Sequence, residues 1–422
     1  MTYRDVLARL VGARRFGMKL GLERMRELLD RLGAPDQRIG RVIHVAGTNG
    51  KGSTVAFLEA MLRADGKRVG AYTSPHLLRY NERVRIDGAE ARDDALVGAF
   101  ERIEAARGDI ALTYFEYGTL AAIVLFAEAD LDVALLEVGL GGRLDAVNLI
   151  DADVAIVTTI DIDHQDWLGN DRDSIGREKA GIFRAGRPAI IGDGNAPRGL
   201  LEAAERIGAD LRIAGRDFSL RSGNGWLWRS GDATVALPDP ALEAPCQIDD
   251  AAAAIAAMHA LRDRLGWNVD AIRSGVADAR VGARLQRFAS APEVVVDVAH
   301  NPQAARVLAR WLATHRARGR TIAVFGALDD KDVSGIVEPL RDAIDAWHLA
   351  GLAGDSPRGL AASALGDRVQ GVEVAGAHDD VASALAAAFD AASSEDRIIA
   401  FGSFFVAAAA LTFAGARGLE PR

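Results

Sequence analysis

The sequence predicts an α/β protein: a mostly parallel sheet covered by helices on both faces, a small antiparallel insertion, and a second α/β domain. Three observations carry this. From residue 42 to residue 191, short apolar runs bounded by glycine alternate with stretches of helical spacing, the pattern of strands buried on both faces. Near Asp217 the texture changes to short runs separated by Gly, Ser, Asn and Asp. A second alternation begins near residue 291. At 422 residues the chain has room for two or three domains.

Taken in order, Arg4 to Leu10 and Gly21 to Leu32 show helical spacing, and Val42-Ile-His-Val-Ala46 reads as a buried strand. Lys51 to Ala64 is a helix pattern, Arg68 to Tyr72 a strand, Asp93 to Ala106 and Tyr114 to Glu128 helices, and Val133 to Glu137 a strand. Val154 to Thr158 and Pro188 to Ile191 are further strands. Phe218-Ser-Leu, Trp226-Leu-Trp228 and Thr234-Val-Ala-Leu237 predict a small antiparallel meander, followed by an Ala-rich helix from Asp249 to Leu265. The Ser290-Ala-Pro292 break sets the expected boundary, giving domains 1–288 and 289–422. Beyond it, Val294 to Val296, Thr321 to Phe325, Ala346 to Leu349 and Ile398 to Phe401 alternate with helices such as Pro302 to His315, a Rossmann-like arrangement.

Composition removes several classes of function. Apolar residues make up 49% and charged residues 26%, a globular balance, and 50 basic against 59 acidic residues leave a net charge of −9. That sign disfavours nonspecific binding of nucleic acid or an anionic membrane. Cys246 is the sole cysteine, so an intrachain disulfide and multi-cysteine metal patterns are excluded. The segment from Met1 to Leu10 lacks the apolar core of a signal peptide, and no run of 18 apolar residues is present; Phe404 to Phe413 reads as a buried helix. A cytoplasmic location is expected.

Directly after the first strong strand comes Gly47-Thr-Asn-Gly-Lys-Gly-Ser53-Thr54, leading into a helix. Glycines let backbone amides turn onto phosphate, the helix N-terminus adds its positive end, and Lys51 is placed to reach β and γ oxygens. Ser53 or Thr54 is suited to ordering Mg²⁺. The strict P-loop pattern is broken, since Val45 stands at the first glycine and Gly52 separates lysine from hydroxyl. The strand–turn–helix context still points to a nucleoside triphosphate. The rival Gly139-Leu-Gly-Gly-Arg-Leu144 lacks the third glycine of a dinucleotide fingerprint, and neither G-x-S-x-G nor H-E-x-x-H occurs.

Hard oxygen ligands for a magnesium nucleotide belong at strand ends, where Glu137 and Asp161-Ile-Asp163-His164 stand. Lys179, in Asp173-Ser-Ile-Gly-Arg-Glu-Lys-Ala-Gly-Ile182, has the position of an ordinary helix-face lysine. Asp297-Val-Ala-His-Asn-Pro302 ends the first strand of the second domain, making Asp297 and His300 candidates, although Asn301-Pro302 also fits a plain helix start.

These segments resemble the bacterial bifunctional folylpolyglutamate synthase/dihydrofolate synthase family, within the Mur-ligase-like amide ligases. The resemblance rests on Leu20-Gly-Leu-Glu-Arg24, Ala46 to Ser53, Ser74-Pro-His-Leu77, Leu112-Thr-Tyr-Phe-Glu-Tyr-Gly-Thr119, Leu136-Glu-Val-Gly-Leu-Gly-Gly-Arg-Leu-Asp145, Asp163-His164, Arg177-Glu-Lys-Ala-Gly-Ile-Phe183 and Asp297 to Pro302. It implies a P-loop ATPase domain followed by a glutamate-ligase domain, and addition of L-glutamate to dihydropteroate and to reduced folates through an acyl phosphate.

By the same resemblance, Thr48, Asn49, Gly50, Lys51, Gly52 and Ser53 hold ATP phosphates, while Ser74, Glu137 and His164 bind Mg²⁺, with two metal sites expected. Lys179 corresponds to a lysine that becomes carbamylated, a cation turned into an oxygen donor; Lys51, His164 and Lys179 are the catalytic candidates. Thr113, Tyr114, Phe115, Glu116, Leu144, Asp145, Ala146 and His300 are substrate candidates. Arg284 and Asp297 match nucleotide contacts made across the domain cleft.

Two positions depart from the family. Asp250 stands where an asparagine commonly meets adenine or ribose, and aspartate cannot donate. Gly402-Ser-Phe404 continues with Phe405 where the family often has histidine. A folylpolyglutamate synthase alone, a muramyl amino-acid ligase, and a nucleotide-switched regulator stay open as alternatives; a monomer is implied by the family.

Overall fold

The computed structural model describes residues 2–13, 21–223 and 225–422; Met1 and Leu20, named above, lie outside the described residues. Two compact units are present, Met1–Ala241 with Gln247–Arg280, and Leu242–Cys246 with Val281–Arg422.

In the first unit eight strands form one sheet: β1 (Arg41–Ala46), β2 (Val69–Tyr72), β3 (Val84–Ile86), β4 (Ala89–Glu90), β5 (Val133–Glu137), β6 (Val154–Val157), β7 (Pro188–Ile191) and β8 (Asp210–Ile213). Their order is β4-β3-β2-β5-β1-β6-β7-β8, parallel except for β3 and β4, which run antiparallel at one edge. The central strands are buried from Val42 to Ala46, Val133 to Glu137 and Val154 to Val157, and mostly apolar, because both faces are covered. One face packs Val42, Ala46, Tyr72, Leu136 and Val157 against helices Glu23–Arg31, Asp93–Arg107 and Tyr114–Glu128. By alternation His44 of β1 faces that same core. Helix Lys51–Ala64 packs with Gln247–Ala260 and Val269–Asp278. The Ala-rich helix therefore ends earlier than expected, and Arg262–Leu265 follows as a separate turn.

The antiparallel insertion is β9 (Ser219–Gly223), β10 (Gly225–Ser230) and β11 (Ala233–Leu237), in the order β11-β10-β9. Trp228 of β10 is fully buried and donates its indole N–H to Ala252 O (3.2 Å), which seats the meander on the Ala-rich helix.

The second unit holds β12 (Gln286–Phe288), β13 (Glu293–Val296), β14 (Thr321–Phe325), β15 (Ala346–Ala350), β16 (Val374–His378) and β17 (Arg397–Phe401), ordered β12-β13-β17-β14-β15-β16. β12 pairs antiparallel with β13, so the Ser290–Pro292 break is the turn of a hairpin, and residues on both sides of the expected 288/289 boundary lie in this unit. Helix Phe404–Ala416 buries one side through Val406, Ala407, Ala410 and Ala414, rather than being enclosed all round. Among the described residues no helix is long and apolar enough to cross a membrane.

Candidate active site

The phosphate loop leaves β1 and enters helix Lys51–Ala64, whose N-cap is Gly50 at φ +86° with no side-chain cap. A Cβ on Gly50 would lie 2.2 Å from Asp250 Oδ1, and one on Gly47 would lie 1.8 Å from Thr158 Oγ1. Only glycine fits either place. The helix start carries no acidic residue in its first turn, so its amides face outward unclaimed by a side-chain cap, the arrangement that receives phosphate.

The loop is held from the end of β6. Thr48 N donates to Thr159 O (2.7 Å), and Thr48 Oγ1 donates to Asp161 O (3.0 Å). Asn49 N donates to Thr159 Oγ1 (3.2 Å), and Thr158 Oγ1 donates to Asn49 O (2.5 Å). Sequence reasoning missed these two threonines. The available signal was a pair of hydroxyls where an apolar strand stops.

Two lysines converge on one carbonyl. Lys51 Nζ donates to Gly47 O (3.1 Å) and Thr48 O (3.2 Å), and Lys179 Nζ donates to the same Gly47 O (3.0 Å). Lys179 closes helix Arg172–Lys179 and is buried, which the sequence pattern did not foretell. Burial, followed by the Lys51 charge, brings its amine down to about 7. Such an amine is substantially neutral and nucleophilic near physiological pH.

Glu137 is buried at the end of β5, with Oε2 accepting from Ser74 N (3.1 Å) just beyond β2. His164 follows β6 in the left-handed region (φ +52°), at the start of Gln165–Leu168. The strand order β2-β5-β1-β6 puts Ser74 and Glu137 on one side of the phosphate loop and His164 on the other. A carboxylate, a hydroxyl and an imidazole suit a magnesium nucleotide, whose metal keeps phosphate and water ligands and needs few from protein. Among the described residues, no three His, Cys, Asp or Glu side chains form a complete cage.

The expected substrate segments are firmly built. Thr113 caps helix Tyr114–Glu128 by accepting from Glu116 N (3.3 Å), and Glu116 Oε2 accepts from Thr113 N (2.8 Å). Glu116 also forms an ion pair with Arg24, so its buried carboxylate already serves the scaffold. Tyr114 lies under the Arg83 guanidinium (5.1 Å), and Phe115 packs on Tyr72 (5.8 Å). Asp145 accepts from Leu140 N (2.8 Å) and Val147 N (3.0 Å); burial pushes it up to about 6 against those bonds and the Lys179 charge. Leu144 is half-buried and Ala146 buried beside it. The loop rests on the Lys179 segment, with Arg143 N donating to Glu178 O (3.1 Å).

Asp250 abuts Gly50 of the phosphate loop. In the second unit, Asp297 accepts from Leu285 N (2.8 Å) and Ala299 N (2.7 Å), and burial raises its pKa. The Arg284 guanidinium lies over the Phe404 ring (5.6 Å), and the His300 ring packs against the same ring at a tilt (5.9 Å, 56°). Ala283 and Leu285, flanking Arg284, both have positive φ (54° and 49°), strain of the kind kept at working positions.

A phosphate-binding loop on a parallel sheet, with a second α/β unit following in the chain, is the build of the Mur-type ligases; residues 45–215 match the Mur ligase middle domain and residues 283–404 the Mur ligase glutamate ligase domain. The dihydrofolate synthase/folylpolyglutamate synthase of Escherichia coli K12 is 45% identical over 400 residues, covering 94% of this chain and 92% of that protein. The chain belongs to the dihydrofolate synthase/folylpolyglutamate synthase family. Two solved structures are similar over nearly the whole chain. E. coli FolC in complex with DHPP and ADP superposes with a TM-score of 0.92 at 43% identity, covering 99% of both chains. A bifunctional folylpolyglutamate synthase/dihydrofolate synthase with Mn, AMPPNP and L-glutamate bound gives 0.90 at 42%, covering 99% of this chain and 98% of that one.

Proposed function

We propose that this chain is an ATP-dependent amide ligase that joins L-glutamate to dihydropteroate, giving dihydrofolate, and to reduced folates, giving polyglutamates. The observation that carries the reading is the glycine-opened phosphate loop with Lys51 and Lys179 meeting at Gly47 O, in a chain so close to enzymes of that name.

A carboxylate is a poor acylating agent, so one of its oxygens first takes the γ-phosphoryl group of ATP, releasing ADP. The glutamate amine then attacks the acyl carbon, the C–O bond breaks, and phosphate leaves. Thr48, Asn49, Gly50, Gly52 and Ser53 offer the amide and hydroxyl donors for the triphosphate, and Lys51 offsets charge on the transferring group. Mg²⁺ held by Ser74, Glu137 and His164 would neutralise phosphate oxygens. The buried, near-neutral amine of Lys179 supports its carbamylation by CO₂, which would convert an awkward buried cation into a metal-side oxygen donor. Thr113 to Glu116 and Leu144 to Ala146 are assigned to the pterin acceptor, His300 to the substrate, and Asp250, Arg284 and Asp297 to the nucleotide. Residues 1–288 would then serve chiefly ATP and acceptor, and residues 289–422 glutamate. A monomer working in the cytoplasm completes the proposal.

The test is ADP formation by purified protein with Mg²⁺, bicarbonate and L-glutamate, with dihydropteroate, tetrahydrofolate or no acceptor, and the product weighed by mass spectrometry. Turnover with both acceptors, each gaining one glutamyl unit, is expected. Turnover with tetrahydrofolate alone would reduce the function to polyglutamylation, and turnover with neither would refute it.

A further inference from the structure

The turn that carries His164 has little packing of its own. Between Asp161 and Asp171 the one buried side chain is Leu168, while Ile162 and Trp167 are 40% and 52% exposed. His164 itself has a left-handed backbone at φ +52°, a region that a non-glycine residue enters at a cost. A hydrophobic core therefore does not fix where this turn stands. Hydrogen bonds at its two feet do.

One foot is the end of β6. Ile160 is buried there, and the main chain of Asp161 engages the phosphate loop twice, its N donating to Thr48 Oγ1 (3.1 Å) and its O accepting from the same hydroxyl (3.0 Å). The other foot is the start of helix Arg172–Lys179, which Asp171 caps by accepting from Ser174 N (2.7 Å). A Cβ on Gly169 would lie 2.3 Å from Ser174 Oγ, so the chain enters that helix by a path closed to other residues.

A single side chain joins the feet. Arg172 Nε donates to Ile160 O (2.9 Å), and its Nη2 donates to Asp193 Oδ2 (3.0 Å) and Asn195 O (2.8 Å) beyond β7. Asp193 is held in turn, its Oδ1 accepting from Asn195 N (2.8 Å). One planar guanidinium thus fixes three acceptors in set directions, which a lysine ammonium cannot reproduce. Residues 160 to 172 become a closed loop of the omega kind, with its ends together and much of its length facing solvent.

This clasp bears on two site residues at once. His164 lies within the loop, and Arg172 opens the helix that ends about 10 Å further on at Lys179, whose amine donates to Gly47 O. The Arg172 side chain is 34% exposed, so its ion pair with Asp193 adds little to global stability. Its bonds fall instead at the carboxyl ends of β6 and β7, the edge where open α/β sheets bind ligands.

Resting on the ligase reading above and its metal at His164, we propose that Arg172 is a positioning residue for phosphoryl transfer, closing the 160–172 loop and so fixing where His164 stands for the divalent metal of the nucleotide. The experiment measures Mn²⁺ binding to the full chain by electron paramagnetic resonance with a nonhydrolysable ATP analogue present, beside ligation kinetics and urea unfolding, for Arg172→Met, Arg172→Lys and His164→Ala. In Arg172→Met the Kd for Mn²⁺ is expected to rise about 10-fold and kcat to fall about 10- to 100-fold, with the KM for glutamate and acceptor within about twofold of wild type and the urea midpoint unmoved. Arg172→Lys keeps the charge and can reach one acceptor, so an intermediate loss is expected, and it carries the test should the Met variant not fold. Wild-type Mn²⁺ affinity in the folded variant overturns the proposal, as does a parallel rise of every KM with a lower urea midpoint, the mark of a merely structural arginine. Loss of Mn²⁺ affinity in His164→Ala with none in Arg172→Met would overturn the clasp alone. Unchanged affinity in His164→Ala would remove the metal assignment beneath it, and the proposal with it.

Discussion

Two helix starts at the carboxyl edges of the two sheets look alike in sequence and are opposite in chemistry. β1 leads through Gly50 into Lys51–Ala64, and no side chain caps that helix. β13 leads through Asn301 into Pro302–Thr314, where the Asn301 side chain caps Ala304 N and Pro302 has no N–H to offer. The first has no side-chain cap on its amides, whereas in the second one amide is taken by the cap and another is missing in proline. A helix N-terminus on a parallel sheet is thus an anion site only when its own sequence declines to fill it. The lysines divide the same way, with half-buried Lys51 and buried Lys179 both donating to Gly47 O in the loop before the open start.

The largest test of that contrast is Gly50→Ala. An alanine at φ +86°, 2.2 Å from Asp250 Oδ1, strains the turn and forces the loop or the Asp250 side chain to shift, so kcat/KM for ATP is expected to fall about 100-fold or more. Wild-type kinetics in that variant would break the comparison.

A smaller effect separates the strands that feed the two loops. β13 is apolar at its core, whereas β1 carries His44, fully buried with neither ring nitrogen hydrogen-bonded. Burial, helped by the Arg184 charge, pushes its pKa down to about 3. The unfolded chain takes up a proton near pH 6.5 and the folded one does not, so stability present above pH 6.5 is lost as pH falls toward 3. His44→Leu is expected to add about 1 kcal/mol at pH 7 by removing the orphaned nitrogens. Its advantage in Tm should widen between pH 6.5 and pH 5; a constant difference would show that the ring does not titrate this way.

Comparable in stability but without effect on ATP is Asn301→Ala. Loss of the cap should cost about 1 kcal/mol of stability, read as a lower midpoint in urea, with the KM for ATP unchanged. A raised KM for ATP would mean the second helix start is not merely filled.

The parts legible in the sequence were those enforced by burial on both sides. Val133–Glu137, Pro188–Ile191, Thr321–Phe325, Lys51–Ala64 and Tyr114–Glu128 fall where their apolar runs and flanking glycines put them. β3, β4, β8 and β16 were not read, because short or half-exposed strands carry polar residues and leave no apolar run; β16 is Val-Ala-Gly-Ala-His, with Val374 exposed. The phosphate loop was readable from its glycines and lysine. Its fastening to Thr158 and Thr159 was not, since nothing local couples positions more than 100 residues apart, and Glu116 showed its residue type but not its service to Thr113 and Arg24.

That long-range fastening also bears on how the molecule comes into being. Asn49 is anchored by hydroxyls at residues 158 and 159, and β1 pairs with strands that begin at Val133 and Val154. A nascent chain emerging from the ribosome therefore carries a finished glycine sequence but no finished nucleotide cradle until the end of β6 has been synthesised and paired. On the proposed assignment of the loop to ATP, nucleotide binding is expected to report completed assembly of the first unit, since only chains whose sheet has closed around the loop would be stabilised by it.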